Sequence, residues 1–596
     1  MDETMKTKTT ISWAAGVLLA ASSLSTAADG GWDMLKAKPE VVQAWKDMRF
    51  GMFICWGPVS LTGLEIGWSR GVPTWGMRTG VRGGKGPTPA EVYDSLYKKW
   101  KPDKFNAREW VKIAQETGAR YLVFLIKHHD GFCLFDTKLT DYKSTGPESA
   151  WKVDVMKEIA DACHETGMKL IVYYSQPDWH HTDFCGDHHE RYIAYLHGQI
   201  RELLTNYGRI DGLWFDGLGG TAKQWDAENL FKMARSIQPH LIINNRCGIP
   251  GDYITPEQYV GRCQFDQPWE SCITLGTQWS WKPDDKLKPY TDGIQMLVAC
   301  AVGDGNLALN TNPMSDGRIE PRQVENFRKI GDWLRKYGES IYGTRGGPFV
   351  APDMGKRQFG HDRTRFQMPG GAWWGGSTRK DDAIYLHILR WPANTITLPP
   401  IRPRIVKHAV LTGGEATVKQ TDAGIEVSVP AAQRDALDTI VKLELDAPAK
   451  SIPVIKPKNT TAPSLTTGKK ATASNWFRKS ETYAPDKAVD GDPDTRWGCD
   501  YGTHWCWLEV DLGEAKTFDR AAISEPYGRV KEFELQVKNN GGWKTFHRGT
   551  TIGEDLNIKF ASVTGRHVRL NLQKTTEGPS IWEFQLFAPG KETKTE

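Results

Sequence analysis

A (β/α)8-like barrel followed by two β-sandwich domains is the architecture that this chain of 596 residues predicts. Three observations carry it. Over residues 30–348, near-continuous apolar runs alternate with amphipathic runs of helical period, the pattern of a parallel α/β sheet covered on both faces. Polar and aromatic residues gather at the ends of those apolar runs, where a barrel keeps its chemistry. After residue 348 the helical period gives way to short alternating strands, as in antiparallel sandwiches. The length itself is too great for one compact core.

Taken in order, residues 1–27 read as an export signal. Lys6 and Lys8 precede the apolar run "ISWAAGVLLAASSL", and "STA" before Ala28 is a small-residue cleavage site. The mature chain is expected to begin near Ala28 and to be secreted or periplasmic. No other stretch approaches about 18 uninterrupted apolar residues, so no membrane span is expected. Six barrel strands are expected within "RFGMFICWG" (49–57), "YLVFLIKHHDG" (121–131), "KLIVYYSQPDW" (169–179), "DGLWFDG" (211–217), "LIINNRC" (241–247) and "GNLALNTNP" (305–313). Helices such as "NAREWVKIAQETG" and "VDVMKEIADACHETG" lie between them. Residues 349–447 form the first sandwich, 448–467 a Pro-, Lys- and Thr-rich linker, and 468–590 the second sandwich.

Composition is that of a soluble globular protein, 39% hydrophobic and 25% charged, with a net charge of +4 that gives no footing for nucleic acid. The unusual figure is 25 tryptophans, whose flat apolar faces and single N–H suit sugar rings. Ten cysteines in an exported chain permit disulfides. None forms a Cys-x-x-Cys pair, and Cys499 and Cys506 are near enough in sequence to be partners.

The strand ends carry residues that a plain core would not choose: Cys55 and Trp56, then Glu65 and Trp68; His128 and His129; Tyr173 and Tyr174, then Trp179; Trp214 and Asp216; Asn244, Asn245 and Arg246. Asp216, at the end of an apolar strand and flanked by aromatics, suits a carboxylate nucleophile held by His or Arg donors. The plainer reading of Asp216 is a helix N-cap. A second carboxylate is expected on a loop: Glu270 beside Trp269, where an apolar neighbour favours a general acid, with Glu257 and Glu65 as alternatives. Adjacent strand residues point to opposite faces, so the His-His pair is expected to donate to a polyhydroxylated ligand. A catalytic metal is not expected, and no cofactor is needed for the chemistry.

Together "RFGMFICWG", "YLVFLIKHHDGFCLFDTKLTDY", "KLIVYYSQPDW", "GLWFDG", "PWESCITLGTQWSW" and "GDGNLALNTNPMSDGRI" resemble glycoside hydrolase family 29, the retaining α-L-fucosidases. The resemblance covers roughly residues 35–445. It implies a covalent fucosyl-enzyme on Asp216, acid/base catalysis by Glu270, and fucose contacts from His128, His129, Trp214 and Arg246, with Cys55, Trp56, Tyr174 and Glu65 as further contacts. The partner it implies is a fucosylated oligosaccharide or polysaccharide. Cys55 departs from the family, which usually has His there, and a thiol is the weaker donor. A related retaining α-L-galactosidase and an inactive glycan-binding protein are the rival readings. The C-terminal segments "ATASNWF", "YAPDKAVDGDPDTRWGCD", "WLEVDLG" and "IWEFQLFA" resemble a discoidin-like (F5/8 type C, family 32 carbohydrate-binding) module. Its "AVDGDPDTRW" followed by Glu583 suggests a structural Ca2+ held by Asp490, Thr495 and Glu583. Trp476, Arg478 and Tyr527 are candidates for stacking on sugars.

Overall fold

The computed structural model describes residues 32–71, 86–218, 220–261, 263–350, 364–368, 373–455, 464–492, 495–553 and 556–589. The proposed export signal, 1–27, and part of the linker, 456–463, lie outside the described residues. Among the described residues no helix is long and apolar enough to cross a membrane. The chain falls into two compact units. The first contains residues up to Thr255, 278–284 and 310–324, and the second contains 256–277, 285–309 and everything from Glu325 onward.

The first unit is built on a curled parallel sheet. Strands β1 (Phe50–Ile54), β2 (Tyr121–Lys127), β3 (Lys169–Tyr174), β4 (Gly212–Phe215) and β5 (Ile242–Ile243) pair side by side in that order, all parallel. Except for Lys169, each residue of these strands is buried, which is why they read as continuous apolar runs. The connecting helices announce their own ends. Asn106 caps the helix Ala107–Glu116 by accepting from Glu109 N–H at 3.1 Å, and Asp154 caps Val155–Thr166 through Lys157 N–H at 3.1 Å. Gly167 closes the second with φ 72°, a left-handed turn that costs glycine least.

A sixth and a seventh strand follow. β6 (Glu270–Thr274) and β7 (Asn306–Thr311) both belong to the barrel region, and Asn306 N–H donates to Trp269 O. The last residue of β7 also flanks β1, where Cys55 N–H donates to Thr311 O at 3.3 Å. β7 coincides with an expected strand; β6 does not, since the sequence reading put its first residue, Glu270, on a loop.

Beyond Arg345 the second unit is antiparallel. Strands β8 (Arg345–Val350), β9 (Gly375–Lys380), β10 (Ala383–Ile388), β12 (Ile405–Val410) and β15 (Thr439–Leu445) make a sheet in the order β8-β9-β10-β15-β12. Strands β11 (Thr395–Leu398), β13 (Thr417–Thr421) and β14 (Gly424–Ser428) make another in the order β11-β14-β13. Ile384, Leu386, Val427, Val441 and Leu443 share their core. A further antiparallel sheet runs from Lys470 to Phe587 and is dominated by two long strands, Cys506–Ser524 and Leu556–Thr575, over a core of Trp497, Leu508, Phe518, Leu570 and Phe584.

Candidate active site

Asp216 is the residue after β4, and its neighbours explain why the chain can end a buried strand in a charge. β5 is only two residues long, so the backbone ladder stops before Asp216. The side chain of Asn244 takes its place: Oδ1 accepts from Phe215 N–H at 2.8 Å and Nδ2 donates to Phe215 O at 2.9 Å. That clamp fixes the backbone from which Asp216 projects. Its carboxylate is then held at both oxygens, Oδ2 by the Tyr173 hydroxyl at 2.8 Å and Oδ1 by Arg246 Nη1 at 3.2 Å. The side chain keeps 13% of its surface exposed, so it is shielded and still reachable. Arg246 is fixed in turn, stacked over Trp214 at 4.5 Å and donating to Thr255 Oγ1 and Thr255 O.

Both histidines of the pair face this carboxylate. A ring nitrogen of each and a carboxylate oxygen of Asp216 lie within 4.8 Å of one another. Strand alternation would have sent the rings to opposite faces, but β2 ends at Lys127, so the pair sits on irregular backbone. His129 Nε2 is 3.7 Å from Asp216 Oδ2, and its Nδ1 is 2.6 Å from Ser175 Oγ, which itself donates to Pro177 O at 2.7 Å. Burial, and then the positive charges of Lys127 and Arg246, push the His129 imidazole down to about 3. Burial also drives His128 well below the usual histidine range, with His129 adding to it. Both rings are therefore neutral at physiological pH. Three such groups can hold a metal ion in principle, but the Arg246 guanidinium already supplies the positive charge at Asp216. The set suits neutral hydroxyl groups better than a cation.

Aromatic rings pack on the groups that hold the carboxylate. Trp214 stacks on Tyr173 at 5.4 Å and meets Phe53 at 5.6 Å; Phe53 meets Trp279 at the same distance. Trp179 lies 5.1 Å and Trp68 5.6 Å from the His129 ring. The loop after β1 is pressed against the pair through Gly67, whose φ is 63° and where a Cβ would meet His128 Nδ1 at 2.3 Å. Gly67 N–H also donates to Tyr93 Oη, which donates to Asp130 Oδ2 at 2.6 Å. This loop carries Glu65, whose carboxylate accepts backbone N–H groups from Ile66 at 2.9 Å and Trp279 at 2.9 Å.

Behind the histidines lies a buried ion pair, Lys127 Nζ to Asp178 Oδ2 at 3.0 Å. Asp178 also accepts from the His180 and His181 N–H groups. Burial opposes its charge, yet the charge and hydrogen bond of Lys127, with the His180 and His181 side chains, hold it below the usual carboxylate range.

The structure thus brings Asp216, His128, His129, Trp214 and Arg246 together, with the Glu65 loop against them. It corrects the choice between two tyrosines: Tyr174 turns away, donating to Gln199 Oε1 at 2.7 Å beneath Lys127, and Tyr173 is the one that reaches Asp216. Alternation along β3 allows only one of two consecutive residues on each face. Trp56 is buried in an aromatic cluster with Trp100, Phe105 and Trp110 and donates to Met314 O. Cys55 is buried at the end of β1. Glu257 and Glu270 belong to the second unit. Glu270 opens β6 and is fully buried, whereas Glu257 is exposed. Sequence reasoning missed Ser175 and Thr255; their signal was their place beside strand-end residues, which becomes visible only with the register.

In the C-terminal sheet region the Thr495 hydroxyl lies 2.9 Å from each oxygen of Asp490, 3.0 Å from Asp492 O and 3.1 Å from Lys487 O. One hydroxyl hydrogen cannot serve four oxygens, so this crowding of hard oxygens fits a Ca2+ cage. Lys487 Nζ, 3.4 Å from Asp490, is the competing cation. Glu583 is buried at the start of the last strand. Tyr527 is exposed between Arg529 and Arg496. Trp476 packs partly on the core with Lys479 over its ring, and Arg478 lies over Phe477. Cys499 and Cys506 place their sulfurs 3.5 Å apart.

Comparison with known proteins adds an independent line. The family model described as alpha-L-fucosidase matches residues 19–339, and the F5/8 type C domain model matches residues 470–584. The plasma alpha-L-fucosidase of Homo sapiens is 27% identical over 404 residues, covering 62% of this chain and 80% of its own. Among solved structures, alpha-L-fucosidase isoenzyme 1 from Paenibacillus thiaminolyticus is 30% identical with a TM-score of 0.56, covering 68% of this chain and 99% of its own. A Bacteroides thetaiotaomicron alpha-L-fucosidase, solved as a trapped covalent intermediate with 2-fluoro-fucosyl fluoride, is 25% identical with a TM-score of 0.57, covering 69% and 97%.

Proposed function

The chain belongs to the α-L-fucosidase family of glycoside hydrolases, and from that premise we propose that it is an exo-acting retaining α-L-fucosidase with Asp216 as nucleophile. Its substrates are terminal α-L-fucosyl linkages of glycans or polysaccharides. The carrying observation is the Asp216 carboxylate itself, gripped at both oxygens by Tyr173 and Arg246 and still partly exposed beside two neutral histidines. In the first step an Asp216 oxygen attacks the anomeric carbon while the acid gives its proton to the departing glycosidic oxygen. In the second, the same residue takes a proton from water, which displaces Asp216 and restores the original anomer. Tyr173 and Arg246 hold the carboxylate on line for attack, and Arg246 is placed to receive charge as Asp216 leaves. A trapped covalent intermediate in a relative of 25% identity supports the two-step course.

For the acid/base we propose Glu270, with Glu257 as the alternative. Glu270 opens a strand beside the buried Trp269, and an apolar neighbour suits a general acid. Glu65 has its oxygens engaged by backbone N–H groups, which suits a fixed acceptor for sugar hydroxyls.

Azide separates the roles. In Asp216→Gly, azide should attack the substrate directly and give β-L-fucosyl azide; in Glu270→Ala it should attack the fucosyl-enzyme and give the α-azide. If wild-type enzyme first releases β-L-fucose from an α-fucoside, the retaining assignment fails. If Glu257→Ala and not Glu270→Ala yields the α-azide, the acid/base is Glu257.

We also propose that residues 1–27 direct export and that Asp490, Thr495 and Glu583, with the carbonyls of Lys487 and Asp492, hold a Ca2+ that stiffens the C-terminal module. The mass of the released chain tests the first, placing its start near Ala28.

A further inference from the structure

We propose that Ser175 is a positioning residue that fixes His129 in its Nδ1–H tautomer, so that Nε2 presents a lone pair beside Asp216 and accepts a hydrogen bond from one hydroxyl of the bound sugar. The inference rests on reading this site as a glycosidase site.

The number of hydrogens around Ser175 Oγ decides the tautomer. Ser175 Oγ is 2.6 Å from His129 Nδ1 and 2.7 Å from Pro177 O. The carbonyl can only accept, and the serine has one hydrogen. If that hydrogen goes to Pro177 O, Nδ1–H donates to Oγ and both contacts are hydrogen bonds. If it goes to Nδ1, the hydroxyl and carbonyl oxygens face each other at 2.7 Å with no hydrogen between them, in a place where Ser175 is fully buried. Such a buried mismatch costs more than the bond it replaces. The first arrangement is the stable one.

Nε2 is then bare, 3.7 Å from Asp216 Oδ2. Protonating it would satisfy both groups, but burial and the nearby charges of Lys127 and Arg246 oppose the imidazolium. Two acceptors therefore face each other, and a substrate hydroxyl whose hydrogen points at Nε2 resolves the mismatch. Trp68 and Trp179 against the ring keep it from turning away. The consequence is a donor requirement at one position of the sugar: an analogue with hydrogen or an O-methyl group there loses the bond, because it has no hydrogen to give.

Two measurements on the full chain test this. Long-range proton–nitrogen correlation on 15N-histidine-labelled protein, assigned with His129→Gln, should show His129 protonated at Nδ1 and not at Nε2. A wild-type His129 carrying its proton on Nε2 overturns the proposal. Kinetics then ask whether the tautomer reaches the substrate. Ser175→Ala should lower kcat/KM for 4-nitrophenyl α-L-fucoside by about 10- to 100-fold, and Ser175→Thr should restore most of it. For one of the 2-, 3- and 4-deoxy analogues the same variant should lose less than about threefold, since the bond it disturbs is already absent. An equal loss on all four substrates means that Ser175 acts only through packing. If wild-type protein turns over none of the four, the fucosidase reading fails, and the tautomer is judged by the spectrum alone.

Discussion

At the scale of single residues, the charged hydrogen bonds around Asp216 decide most of the chemistry. Tyr173→Phe removes a hydroxyl that donates to a carboxylate, an interaction of about 1.5–3 kcal/mol, so kcat should fall about 10- to 100-fold while the fold stays intact. Tyr174→Phe serves as the control, since that hydroxyl meets Gln199 and not Asp216; matching losses in both variants would contradict the assignment. His128→Ala should cost at least about 100-fold in kcat/KM, and Cys55→Ala much less, because a thiol is a weak donor. Comparable losses for the two would reveal a role for the thiol that its chemistry does not suggest. Asp216, Arg246, Trp214 and the histidines were legible in the sequence because each ends an apolar run. The choice between Tyr173 and Tyr174 was not, because two consecutive identical residues carry no phase. The buried state of Glu270 was equally hidden: an acid beside tryptophan reads the same on a loop as at the first residue of a strand.

At the scale of elements, the loop after β1 acts as a wall for the histidine pair, and Gly67 is its point of closest approach. Alanine there meets His128 Nδ1 at 2.3 Å and must hold φ at 63°, which L-residues resist. Gly67→Ala should therefore reduce activity by displacing His128, with only a modest fall in thermal stability because the loop lies outside the strands. Gly167→Ala, with a similar φ of 72° but nothing within 4 Å, separates the two effects: it should lower stability and leave kcat/KM within about twofold. Full activity in Gly67→Ala would show that the loop yields freely. Six strands were legible as apolar runs, and β6 was not. "ESCIT" is short and half polar, and no helix among the described residues separates it from β5, so the alternation that marks the other strands is missing at that point.

At the scale of the whole molecule, the C-terminal module should respond to Ca2+ and the barrel to pH. If a Ca2+ sits among the oxygens around Thr495, a chelator should lower the melting temperature of a C-terminal transition, and Asp490→Asn should abolish that sensitivity while fucoside hydrolysis persists. Melting unaffected by chelator and by added Ca2+ would assign the cluster to Lys487 instead. The barrel depends on pH because it buries two neutral imidazoles. In the unfolded chain a histidine takes up its proton near pH 6.5; in the folded protein His129 does so only near 3, and His128 is displaced in the same direction. Below pH 6.5 the unfolded state therefore binds more protons than the native state, and stability falls as pH drops from 6.5 toward 3; above 6.5 this contribution is complete. Scanning calorimetry from pH 7 to pH 4 should show the barrel transition moving down steeply in wild type and less steeply in the His128→Gln, His129→Gln double variant, whose side chains do not titrate. Parallel pH dependences in the two proteins would mean that the pair takes up protons as readily in the folded protein as in the unfolded chain, and a proton on His129 Nε2 would then face Asp216 at mildly acidic pH where the site described above needs a lone pair.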